Sequence, residues 1–150
     1  MSDVIGAQKL RILLRRSAGL TVDKSDVKRL TDLVGRKLND LLVMGVRNAT
    51  YNGRDIVMEP DLPITLGLRK SLRLFQELEE EIELEPVLEH LATYPPLERD
   101  LSDEVVQLLP DLVGALIFVA ARLMKTIEPD VVNPDTEMWQ RVEEAMDLTL

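Results

Sequence analysis

The 150-residue sequence has no cysteine, one histidine, one tryptophan, two tyrosines and two phenylalanines. Without cysteine it has neither disulfides nor thiolate metal sites. His90 stands alone in the helical context LEHLATY, where a lone histidine serves more often in packing or capping than in catalysis. The glycines Gly6, Gly19, Gly35, Gly45, Gly53, Gly67 and Gly114 are dispersed, so no phosphate-binding loop is present. Carboxylates are plentiful, but no loop of alternating ligands specifies a metal. No nucleophile motif appears. These absences argue against an enzyme and predict no cofactor, no metal and no small-molecule substrate. Trp139, Tyr51 and Tyr94 read as anchors at helix ends, the tryptophan wedged into the last helix interface rather than exposed for base stacking.

Long hydrophobic runs are scarce too. The longest, residues 112–121, is about half of what a bilayer crossing needs and is followed by Arg122, so it reads as a buried helix. The start MSDVIGAQKLRILLRR lacks the apolar core and small-residue cleavage site of a secretory signal. A cytoplasmic protein with no membrane partner is expected. The composition, 45% apolar and 30% charged, is ordinary for a soluble chain. One domain over residues 1–150, burying roughly 70% of its extended surface, is the default.

The formal net charge of −9 conceals a division. Residues 1–75 hold 14 Lys and Arg against 8 Asp and Glu, a net of +6, whereas residues 76–150 hold 4 against 19, a net of −15. A basic half can approach phosphate, but a more acidic half repels it unless the two charges occupy opposite faces.

Apolar positions recur at helical spacing from Val4 through Leu14, predicting a short amphipathic helix over residues 4–16 that ends near Ala18 and Gly19. Asp23 or Ser25 then caps a second helix reaching about Tyr51, with Val27, Leu30, Val34, Leu38, Leu41 and Leu42 along one broad stripe. At nearly thirty residues it is long enough to need packing on more than one side. Asn52 and Gly53 are suited to positive φ, and an extended Ile56-Val57-Met58 run follows. A third helix opens at Pro60, flanked by Glu59 and Asp61, and continues to Glu83. The second half repeats this plan: a short helix over residues 84–94, a stiff loop over 94–101, and a long helix from a Ser102 cap to about Thr126. Pro110 should kink that helix or break its start. A strand-like Val131-Val132-Asn133 and a last helix over residues 134–148 complete the pattern.

Several fragments in this order resemble the small prokaryotic family of double-histone-fold proteins, in which two histone units are fused in one polypeptide. They are Leu38 with Asp40 and Leu41, the NGRD stretch at residues 52–55, DLPIT at residues 61–65, Gly67-Leu68, Tyr94-Pro95-Pro96-Leu97, and Leu109-Pro110 with Val113-Gly114. The resemblance implies an all-α double histone fold. Two short-long-short units, about residues 1–82 and 83–150, would form an intramolecular pseudodimer. It also implies an ion pair between Arg54 and Asp61 that clamps the loop onto the following helix. Independently, the second long helix is apolar almost all round, as a helix at the middle of such a pair would be.

The resemblance further implies binding to duplex DNA without sequence specificity, and so a place at the nucleoid. Arg11, Arg15, Arg16, Lys24 and Arg54 would neutralise phosphate and release counterions. Two departures oppose it. Asp55 and Ile56 follow Arg54 where DNA-binding archaeal histones continue with Lys-Thr, and the corresponding second loop, residues 128–133, carries no cation. The same arginines read first as a solvated helix face, paired with the glutamates of residues 77–85 within the fold or between molecules. The alternative function is a protein-interaction or self-assembling scaffold that has lost the DNA surface, its oppositely charged halves associating with a second copy or an unknown protein. The glutamates Glu77, Glu79, Glu80, Glu81 and Glu83 would offer a docking face or form an ordinary exposed turn.

Overall fold

Two long helices organise the molecule, and a side chain starts each. The computed structural model describes the backbone of residues 2–82 and 84–150 and the side chains of residues 6–78 and 84–150. Helix α1 (Ser2–Ala18) precedes the first long helix, α2 (Lys24–Tyr51). Asp23 Oδ1 accepts the Asp26 N–H at 2.8 Å while Asp26 Oδ2 accepts the Asp23 N–H at 2.9 Å, a reciprocal cap that satisfies two orphan donors. At the other end Gly53 takes φ +72°, while Asn52 stays at φ −88°, so glycine alone supplies the left-handed turn.

Strand β1 (Ile56–Val57) and a single 3-10 turn (Glu59–Asp61) lead to α3 (Leu66–Ile82). Next come α4 (Glu85–Leu91), β2 (Asp100–Leu101), the second long helix α5 (Asp103–Ile127) and α6 (Thr136–Thr149). Ser102 Oγ caps α5 by accepting the Val105 N–H at 3.2 Å. The fold is all-α apart from the two-residue strands among the described residues.

Loops from opposite halves of the chain pair with each other. Strands β1 and β2 run parallel, with Ile56 opposite Asp100 and Val57 opposite Leu101, and the Ser102 N–H donates to Val57 O at 2.9 Å. At the other end the Thr21 N–H donates to Val132 O at 2.7 Å. In both places the loop before one long helix meets the loop after the other.

Helix α5 packs against α1, α2, α3, α4 and α6 and sits at the middle of one apolar cluster extending from Leu10 to Met146. By length and composition it would pass as a bilayer span, but 61% of that apolar window is buried inside the fold, as a central core helix requires. Gly114 lets α3 approach: a Cβ at this position would land within the ring of the fully buried Phe75.

Several sequence expectations change. The helix expected to run from Pro60 breaks after one 3-10 turn and restarts at Leu66. Pro63 has no N–H and holds Leu62 extended at φ −71°, ψ 130°. Glu83, its expected end, lies outside the described residues, as do the side chains of Val4, Ile5, Glu79, Glu80 and Glu81. The short helix expected over residues 84–94 covers only Glu85–Leu91. The strand-like run expected at residues 131–133 forms no strand and only lends Val132 O to the Thr21 N–H; the second strand lies instead at Asp100–Leu101, inside the expected loop. Pro110 does not break α5, because a proline there forfeits one ladder bond while the turns on either side continue. Tyr51 anchors nothing: at 89% exposed it projects from the end of α2.

Candidate nucleic-acid interface

The exposed side of α1 is basic. Leu10, Leu13 and Leu14 face the core, which leaves Gln8, Arg11, Ile12 and Arg15 side by side on the opposite face, with Arg16 next to them. Arg15 and Arg16 lie in the last turn, where the helix dipole favours cations. The chain then turns through residues 19–23, and Lys24 stands exposed at the first turn of α2. Four of the five expected contact residues therefore share one end of the molecule.

The fifth does not join them. Arg54 lies at the far end of α2, about 40 Å from Lys24 at 1.5 Å per residue. Its guanidinium is committed within the fold: Nη1 donates to Asp61 Oδ2 at 2.5 Å and Nη2 to Asp61 Oδ1 at 2.6 Å, a two-pronged pair. Nη1 also reaches Ile56 O at 3.3 Å. Asp61 is 3% exposed; it accepts the Met58 N–H at 2.8 Å, and its own carbonyl accepts from Asn48 Nδ2 at 2.7 Å. The Arg54 hydrogen bonds hold the Asp61 carboxyl below the usual carboxylate range in spite of burial, with the Met58 N–H adding to the effect. The same bonds raise the Arg54 pKa above its ordinary value. The pair fastens the turn after α2 to the segment before α3.

Around this second loop pair the exposed charges are mainly acidic: Asp55, Glu98, Asp100, Asp103 and Glu104. The loop beside Thr21 adds Glu128 and Asp130. Helix α4, which packs on α5 as α1 does, presents Glu85 and Glu89 where α1 presents arginines. The charge division of the sequence thus becomes a division between the exposed faces of α1 and α4.

Two lysines committed within the fold, one buried and one half-buried, gave no sequence signal. Lys37, 4% exposed, donates to Asp147 Oδ1 at 2.5 Å and Asp40 Oδ2 at 3.4 Å, joining α2 to α6. The Lys37 contact holds the Asp147 carboxyl below its usual range. Lys125 Nζ donates to Val131 O at 2.5 Å, which places a cation just inside the otherwise acidic loop after α5. His90 is exposed in the last turn of α4. No cluster of three or more metal-ligating side chains occurs among the described residues.

Comparison with known proteins identifies relatives without an assigned activity. Two uncharacterised proteins of Aquifex aeolicus (strain VF5) are similar in sequence. One is 25% identical, across 80% of this chain and 70% of its own length. The other is 31% identical, across 79% and 76%. A crystal structure of a Thermus thermophilus protein superposes with a TM-score of 0.85 at 45% identity, covering 95% of this chain and 97% of that one. Another, from Aquifex aeolicus, gives a TM-score of 0.84 at 23% identity over 97% and 95%, which is a likeness of fold alone. Residues 10–147 match the family model described as a domain of unknown function, DUF1931, and the chain belongs to that family.

Proposed function

We propose that this chain is a double histone fold, two short-long-short units at about residues 1–82 and 83–150 paired within one polypeptide, that associates with duplex DNA through one end only. The crossed pairing of loops supports the architecture: each long helix begins beside the loop that ends the other. The exposed basic face of α1, continued by Lys24, carries the functional reading. Arg11, Arg15, Arg16 and Lys24 neutralise phosphates without reading bases. Arg54 is held by Asp61, and the acidic opposite loop pair and α4 repel the duplex, so DNA touches the protein tangentially and does not wrap it. Anisotropy of labelled duplex DNA tests this: the logarithm of the binding constant should fall with that of salt with a slope of about −3 to −4, as three or four phosphate contacts give. No binding at low salt, where attraction is greatest, excludes direct DNA contact.

A second reading, association between copies, has its own support. A groove of about 680 Å³ between α4 and the start of α5 is edged by Glu85 and Glu89 and floored partly by Val106 and Tyr94, both exposed. Arg11 and Arg15 on α1 have the same four-residue spacing, with the exposed Ile12 beside them. The α1 face of one copy complements the α4 groove of another. Sedimentation velocity without nucleic acid should then show growth with protein concentration that salt suppresses. An unchanging monomer removes this reading.

A further inference from the structure

Half of the chain's lysines surround one apolar cleft. Between α1, the first two turns of α2, and α4 lies a cavity of about 550 Å³, within the range of small-molecule sites. Leu10, Val27 and Val87 give it an apolar floor. Lys9, Lys24 and Lys28, three of the chain's six lysines, stand around it with His90, its one histidine, and among the described residues no aspartate or glutamate lines it. In a chain of net charge −9 this is the reverse of the average surface. Lys9 and His90 already have partners within the fold, and Lys28 pairs with Asp32 at 3.0 Å; the Lys28 and Asp32 side chains are both well exposed, and such a pair exchanges readily for another anion.

We infer that this cleft binds a small amphipathic anion, an alkyl or alicyclic body lying on Leu10, Val27 and Val87 with its carboxylate, sulfate or phosphate head among the lysines. The chemistry follows from the lining. An apolar floor gains from covering hydrocarbon. The ammonium groups, each a compact charge with three donors, meet an anionic head from several directions. Among the described residues the lining holds no aromatic ring to stack on a nucleobase. A cleft bounded by three helices suits a single dissolved amphiphile rather than a lipid held in a bilayer.

The probe is decanoate, below its micelle concentration, titrated calorimetrically into the full-length protein. Saturation at one equivalent is expected, with decanol and butyrate each bound at least about tenfold more weakly, since each lacks one half of the recognised chemistry. The Lys24→Glu, Lys28→Glu variant changes two exposed side chains and should keep the helical circular dichroism and Tm while weakening decanoate by about tenfold or more. Amide shifts in the NMR spectrum should move chiefly around Leu10, Val27 and Val87. Decanol binding as tightly as decanoate, an undiminished affinity in the variant, or shifts spread over the surface would each overturn the inference. So would pelleting with anionic phosphatidylglycerol vesicles in the absence of any decanoate binding.

Discussion

The indole Nε1 of Trp139 donates to Asp26 Oδ1 at 2.8 Å, a buried hydrogen bond between residues 113 positions apart. The same Asp26 completes the cap of α2 through its other oxygen. The last helix of the second half is thereby fastened to the first turn of the long helix in the first half. A Trp139→Phe substitution keeps most of the apolar body and removes the donor to a buried carboxylate. It should cost about 1.5–3 kcal/mol and lower the Tm by roughly 4–10 °C. Thermal unfolding followed by circular dichroism checks this, and an unaltered Tm would show that the bond is not a fastening.

Because loops, caps and core are shared between the halves, neither half should unfold before the other. Calorimetry of the intact chain should give one transition with calorimetric and van't Hoff enthalpies in agreement. Two resolved transitions would mean that the halves are separate folding units.

Acid sensitivity should centre on Asp61 and Asp147. Arg54 and Lys37 respectively lower the folded-state pKa of these carboxyls. A carboxyl whose folded pKa lies below the unfolded value near 4 contributes stability that is complete above that value. The contribution disappears as pH falls through the folded pKa. Urea midpoints should therefore hold steady near neutrality and decline below about pH 4. An Asp61→Asn variant should start less stable and decline less. Parallel profiles for the two proteins would remove Asp61 from the account.

Gly114→Ala should destabilise by about 1–3 kcal/mol, because the added methyl overlaps the fully buried Phe75 ring and forces a shift in the packing there. Combining it with Phe75→Leu should cost less than the sum of the two single changes, since the smaller side chain vacates that space. Additive losses would place the strain elsewhere.

Much of the helical plan was legible in the sequence because its signals are local. Asp23 and Ser102 announce the long helices, and the Asn52-Gly53 turn announces the end of the first. Most of the failures originate in tertiary contacts. Asp100 and Leu101 are extended only because Ile56 and Val57 lie beside them, and two residues give no alternation to detect. Pro60 looked like the start of a helix, but Pro63 decided where that helix begins. The cation set was legible as a list of residues and illegible as a surface, since Arg54 and Lys24 occupy opposite ends of α2. Lys9 and His90 join Lys24 and Lys28 only through the packing of three helices, and Lys37 meets Asp147 only across the core.

The most direct test of the one-ended DNA contact compares two charge changes in the same low-salt anisotropy titration with labelled duplex. Arg11→Glu, Arg15→Glu alters only the exposed face of α1, whereas Asp55→Ala removes an exposed carboxylate beside the opposite loop pair. The account predicts that the first abolishes binding and that the second leaves affinity and salt slope essentially unchanged. Undiminished binding by the Arg11, Arg15 variant would contradict it.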